Sequence, residues 1–243
     1  MRKLIYICAF IALLLGLSAC RTNININSVR GIGAIVTQDF EVGSFNGISI
    51  NGPFTITYRQ SDTYAVRIEM HENFFTYTTV EDYRGMLRVE TTTGFTITRN
   101  NSPQIYIYAP YLNTVSLHTA TSTRNWDKLY SDMLIMYVSG ASSANIEMEV
   151  ERLELRASGA ASFELSGVAD ELYIDISGAG SINARELQST NAEVHITGAG
   201  SADVYASSTL YASIAGVGSI TYYGNPTVTR NVAGIGSVRA GTR

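Results

Sequence analysis

The chain predicts an all-β fold: a right-handed parallel β-helix, a solenoid with 18 to 20 residues per coil and irregular N-terminal coils. Three observations carry this expectation. First, the phrase Ile174-Asp175-Ile176-Ser177-Gly178-Ala179-Gly180-Ser181-Ile182 returns as Val194-His195-Ile196-Thr197-Gly198-Ala199-Gly200-Ser201-Ala202, and again around Gly216 and Gly234. Weaker copies sit at Gly140 and Gly159, with a glycine-less one at Thr121, and these anchors are 19, 19, 19, 20, 18 and 18 residues apart. Second, each arm of the phrase alternates apolar and polar residues with period two, as a strand with one buried face does. Third, equivalent positions stay apolar from copy to copy. Six residues before each anchor stand Val115, Leu134, Leu153, Leu172, Ala192, Leu210 and Val228. Strands that stack in register along one axis pair in parallel, and parallel crossovers are almost always right-handed.

The small residues at the centre of each phrase fit a corner. The next coil lies about 4.8 Å away, and glycine permits both positive φ and close backbone approach. Gly140, Gly159, Gly178, Gly198, Gly216 and Gly234 are therefore the predicted structural corners. Ser143, Ser162, Ser181, Ser201, Ser219 and Ser237, three residues on, are placed to form a hydroxyl ladder. A phosphate-binding loop would need a lysine and a following helix, and neither accompanies the glycines. Leucine-rich, hexapeptide and Ca²⁺-binding nonapeptide frames are absent too.

Residues 1–19 read as a signal peptide. Arg2 and Lys3 precede an apolar run from Leu4 to Leu17, too short and wrongly flanked for a spanning helix. Leu17-Ser18-Ala19-Cys20 resembles the lipobox of bacterial lipoproteins, which implies cleavage before Cys20 and lipidation of its sulfur. Cys8 lies within the signal, so the mature chain has no disulfide. Removing the signal moves the formal net charge from −4 to −6, which argues against a nucleic-acid partner. Residues 20–30 are polar and read as a tether. Arg21-Thr22-Asn23 lacks the acidic residues that follow the lipidated cysteine in surface-exported lipoproteins. A lipid-anchored place in the outer membrane, periplasmic side slightly favoured, is the expectation.

Residues 31–243 read as one β-helical domain, with irregular opening coils over 31–110 and regular repeats over 111–243. In the opening part the predicted strands include Ile48–Ile50, Phe54–Tyr58, Tyr64–Met70, Phe74–Val80, Met86–Glu90, Phe95–Thr98 and Ile105–Tyr108, separated by turn signals such as Asn51-Gly52-Pro53 and Asn100-Asn101-Ser102-Pro103. The sequence Phe45-Asn46-Gly47-Ile48-Ser49-Ile50-Asn51-Gly52-Pro53-Phe54-Thr55-Ile56, with Gln60-Ser61-Asp62, Met86-Leu87-Arg88-Val89 and the Ser-Gly-Ala-Gly-Ser repeats, resembles the head-GIN-domain family of putative auto-transporter adhesins. These are secreted or lipid-anchored proteins of Bacteroides-like bacteria. The resemblance runs from about residue 38 to the end. It implies a β-helical fold and brings no established catalytic residues to carry over; from the residues themselves no cofactor or metal is expected.

For chemistry, the outward positions three before each anchor are His118, Tyr137, Arg156, Asp175, His195, Ser213 and Asn231. Arg156, Asp175 and His195 fall on consecutive coils. As an enzyme, Asp175 would orient His195 as a base while Arg156 holds an anion. As a surface, the three form a solvated charge ladder, and the surface reading is preferred. His118 and His195 are several coils apart, too far to share a metal. Tyr106, Tyr108, Tyr111, Tyr222 and Tyr223 could stack on sugars or a protein, or serve as ordinary strand formers. Two readings stay open: a non-catalytic binding module for a glycan or envelope protein, and a glycan-active β-helix lyase or hydrolase. Pro226, Arg230, Arg239 and Arg243 blunt the last coil's edge, which predicts a monomer.

Overall fold

A computed structural model describes residues 28–97 and 102–242. Cys20, the signal, most of the tether, the Asn100-Asn101 part of one turn and Arg243 lie outside these residues. The fold is nearly all sheet, a solenoid of stacked parallel coils with about seven turns.

Each regular coil supplies two strands with a glycine corner between them. The strand ahead of the corner builds a leading sheet, in which Thr114–His118, Leu129–Val138, the ends of Ala141–Ala157 and Ala160–Ile176, then Asn191–Ile196, Thr209–Ile214 and Thr227–Val232 follow one another. The strand after the corner builds a trailing sheet that ends at Ile235–Ala240. Ala141–Ala157 and Ala160–Ile176 run unbroken through both sheets. Inward residues of the two sheets close on each other: Leu153, Leu155, Ile174, Val194 and Ile214 from one, Phe163, Ile182, Ala202 and Ile220 from the other, all buried in one core. Each large aliphatic side chain so buried contributes about 1.5–3 kcal/mol.

The opening coils are not stacked in chain order. Strand Gly47–Asn51 pairs in parallel with both Met86–Thr91 and Thr114–His118. Thr55–Gln60 likewise lies between Gln104–Ala109 and Ser122–Thr123. The coil of residues 47–60 is thus inserted between a later coil and the regular repeats. Three strands then pair antiparallel and cover that end: Ala65–His71 on Gln104–Ala109, Ile35–Phe40 on Ala65–His71, and Thr78–Tyr83 on Met86–Thr91. Such a cover removes the open edge that a solenoid end otherwise presents. Arg67 Nε donates to Asp39 Oδ1 at 2.6 Å across this cap. Part of the predicted strand over 74–80 is a 3₁₀ helix, Glu72–Tyr77, and the strand begins only at Thr78. The helix turns Phe74 inward to stack on Phe95, with ring centroids 4.0 Å apart.

Two expectations about the corners need correction. The glycine-less anchor is Thr119, not Thr121. Val115 pairs with Met136 and Ser122 with Ser143, so the first regular coil is 21 residues from the next in register. A shift of two preserves which face each residue points to, so alternation alone cannot detect it. His118 accordingly leaves the outward column expected for it. Ser116 pairs with Tyr137, and His118 Nδ1 lies 2.6 Å from Ser139 Oγ. The second correction concerns φ. Gly140, Gly159, Gly178, Gly198, Gly216 and Gly234 are not among the positive-φ glycines. What their place demands is close approach: a Cβ on Gly178 would overlap the carbonyl oxygens of Gly159 and Ser158. In the serine column, Ser201 Oγ donates to Ser181 Oγ at 3.3 Å.

Candidate functional site

The outer face of the leading sheet brings together the residues that the sequence singled out. Tyr137 pairs with Arg156, Arg156 with Asp175, Asp175 with His195, and His195 with Ser213. Two residues upstream on the same face runs a second column: Glu154, Tyr173, Glu193, Tyr211 and Thr229. Alternation along each strand puts both columns outward.

Arg156 and His195 of the first column are satisfied along their own strands. Arg156 Nε donates to Glu154 Oε1 at 2.6 Å. His195 Nε2 donates to Glu193 Oε1 at 2.7 Å. Asp175 therefore does not orient His195, and it makes no hydrogen bond or ion pair among the described residues. The Glu154 carboxylate, through its hydrogen bond and charge, raises the Arg156 guanidinium above its ordinary value. Partial burial, with the charge on Asp175 beside it, pushes the Tyr173 phenol up. Arg156 lies over the Tyr173 ring at 5.6 Å from its centroid. The His195 ring sits 5.6 Å from both Tyr173 and Tyr211. The result is a strip of rings along the solenoid axis, edged by paired charges.

Beside this strip is a cleft of about 370 Å³, lined by Tyr173, Glu193 and Tyr211 and by Arg152, Glu171, Asn191, Thr209, Thr227 and Thr229. Its rim is tied across three coils: Asn191 Nδ2 donates to Glu171 Oε1 at 3.0 Å, and Thr209 Oγ1 donates to Asn191 Oδ1 at 2.6 Å. Reading only the column three before each anchor finds Arg156, Asp175 and His195. The tyrosines stand in the column five before, and that phase carries the missed signal.

A larger open groove, about 830 Å³, lies at the other corner of the early coils. Exposed Tyr111, Tyr130, Met133 and Val168 line it together with Asp132, Glu149, Glu151 and Asp170. Lys128 reaches Glu149 at 2.9 Å, whereas Asp132, Glu151 and Asp170 have no ion-pair partner among the described residues. These three carboxylates share one phase, eight before the anchors, on successive coils, at positions that the strand pairing skips. Among the described residues no group of His, Cys, Asp and Glu is arranged to hold a metal ion. Of the other tyrosines, Tyr106 and Tyr108 are half-buried on Gln104–Ala109 beside Arg67. Tyr223 carries the Arg185 guanidinium at 4.5 Å from its centroid.

A family model described as "Putative auto-transporter adhesin, head GIN domain" matches residues 44–226. The chain belongs to this family. Solved structures share the adhesin fold. A putative adhesin from Bacteroides fragilis is 24% identical, with TM-score 0.81 over 88% of this chain and 100% of that one. A putative adhesin from Parabacteroides distasonis is 23% identical, with TM-score 0.69 over 88% and 100%. A putative lipid binding protein from the same organism is 23% identical, with TM-score 0.65 over the same shares. No curated protein matches the chain. Among the described residues no helix is long and apolar enough to cross a membrane.

Proposed function

We propose that this adhesin-family chain is a non-catalytic lipoprotein of the cell envelope, anchored through Cys20 and presenting the outer faces of its solenoid to a glycan or an envelope protein. The observation that carries the reading is the pairing of Arg156 with Glu154 and of His195 with Glu193 along their own strands. His195 has a carboxylate partner in Glu193, as a base would, but the pair lies on an open sheet face between two tyrosine rings, an arrangement suited to contact.

The Leu17-Ser18-Ala19-Cys20 end of the signal and the polar tether support an outer-membrane anchor, with the periplasmic side favoured. The last coil leaves strands Thr227–Val232 and Ile235–Ala240 at an edge bearing Pro226, Arg230 and Arg239, which supports a monomer. Cys20→Ala abolishes lipid labelling and membrane fractionation if the anchor is as proposed, and unchanged membrane association contradicts it. A glycan and envelope-protein binding screen, run beside a cleavage assay, tests the functional half. Retention of a defined ligand without cleavage supports the reading, and failure to retain any glycan or protein removes it.

A further inference from the structure

The geometry points to Tyr173, His195 and Tyr211 as the binding strip for a neutral, linear glycan lying along the solenoid axis, with the cleft beside them holding its hydroxyls. The inference rests on the reading of the chain as a binding module and names its site and ligand class.

The rings come first. Tyr173 and Tyr211 occupy one column, two coils apart, a separation of about 9.6 Å at the spacing of paired strands. His195, on the coil between, lies 5.6 Å from each. Aromatic rings present apolar surface with a polar phenol edge, and because the Arg156 guanidinium lies over the Tyr173 ring, a sugar meets that ring beside the guanidinium. A pyranose with equatorial substituents has a matching flat face of C–H groups and a polar rim. Successive sugars of an extended chain place such faces at regular intervals, so a chain laid along the axis meets the rings in turn. A ligand that ran across the strands would meet one ring only.

The polar groups come second. Small-molecule sites combine aromatic walls with a few fixed hydrogen-bonding groups in about 300–1,000 Å³, and the cleft of about 370 Å³ falls in that range. The Glu171–Asn191–Thr209 chain fixes the amide of Asn191, with one N–H given to Glu171 and the oxygen accepting from Thr209. That leaves the second amide N–H and the second Glu171 oxygen for a ligand. An alternation of acceptor and donor at fixed places suits hydroxyl groups, which both donate and accept.

Charge selects among glycans. Glu154 and Glu193 are paired within the protein, and Arg156 is matched to Glu154. Glu171 and Asp175 add two carboxylates to the one further guanidinium, Arg152, so the strip has no surplus of positive charge. Sulfated or uronic chains are repelled, and neutral ones are not.

Calorimetric titration of the full chain in detergent with cellohexaose and laminarihexaose tests this, with a galacturonic acid oligomer as the polyanion. At least one neutral hexaose binds, and the oligomer binds more weakly. Tyr173→Ala and Tyr211→Ala each weaken binding about tenfold or more, as loss of one stacking contact does. Tyr173→Phe retains it, because the ring face is kept, and Tyr130→Ala, in the acidic groove, leaves it unchanged. Circular dichroism melts confirm that the variants fold. Neutral glycan bound equally by the wild type and both folded alanine variants overturns the site while the binding-module reading stands. Absence of binding to both neutral hexaoses overturns the ligand class, and that reading then depends on the wider screen for other glycans and proteins.

Discussion

Thr119 stands directly against Gly140: a Cβ on the glycine would be driven into the threonine's backbone nitrogen, Cα and carbonyl oxygen. Thr119 takes the anchor position of its coil and does so at φ 63°. A β-branched residue is strained there by about 1–2 kcal/mol. Thr119→Gly relieves that strain and gives back roughly 0.5–1 kcal/mol through the greater freedom of the unfolded chain. The expected net effect is a modest gain, about 0.5–1 kcal/mol, read from urea midpoints at constant m-value. A loss of stability contradicts it.

The later corners respond in the opposite sense. A Cβ on Gly198 would overlap the carbonyl oxygens of Gly178 and Ser177, which are backbone and cannot swing away. Gly178→Val and Gly198→Val therefore force adjacent coils apart and cost about 3 kcal/mol or more. At roughly 2–4 °C per kcal/mol for a chain of this size, the melting temperature drops visibly. An unchanged melting temperature would show that the coils do not stack through these glycines.

Much of this fold was legible in the sequence because the side-chain period of two and the coil period act on every residue. The columns Leu153–Leu172–Ala192–Leu210 and Leu155–Ile174–Val194–Ala212 stack as their phase requires. The exchange of coils 47–60 and 86–109 was not legible. Both coils are apolar in the same rhythm, and stacking order is a non-local choice between equivalent partners. The Thr121 anchor failed for a related reason, since a slip of two keeps the same face inward. At the candidate site, the adjacency of Arg156, Asp175 and His195 was readable from phase. Their hydrogen bonds were not, because a same-face residue two along the strand competes with the residue on the next coil. Glu154 and Glu193 won that competition.

Asp132, Glu151 and Asp170 lie at matching places on successive coils without an ion-pair partner among the described residues. The strand pairing skips these three positions, but like charges at matching places on neighbouring coils still repel, by a few tenths to about 1 kcal/mol. Glu151→Gln is expected to raise stability by that amount at low ionic strength. The gain shrinks in 1 M salt, where the screening length is about 3 Å. A lower melting temperature at low salt would mean that a bound cation, and not water, meets these groups.

Tyr58 is buried and donates its hydroxyl to the carbonyl oxygen of Ala109 at 3.0 Å. Burial first, and the charge on Asp127 second, push its phenol from 10.0 up to about 12. Below the unfolded value the phenol is neutral in both states, so the contribution is fully present. As pH rises from about 10 towards 12 the unfolded chain ionises first, and stability falls. Tyr58→Phe flattens this alkaline decline and costs about 1 kcal/mol at neutral pH. The cost stays small because Ala109 also accepts from Ser61 N–H at 3.1 Å. An alkaline slope unchanged in Tyr58→Phe would place the sensitivity elsewhere.

The central claim is that the face bearing Arg156, Asp175 and His195 binds and does not cleave. The most direct measurement incubates the wild type with a panel of linear glycans and follows each by mass spectrometry, with Asp175→Ala in parallel. The account predicts glycan of unchanged mass over long incubation, identical for the two proteins, and Asp175→Ala within about 1 kcal/mol of wild-type stability, as expected for an exposed ladder residue. Shortened products from the wild type that disappear in Asp175→Ala would contradict it.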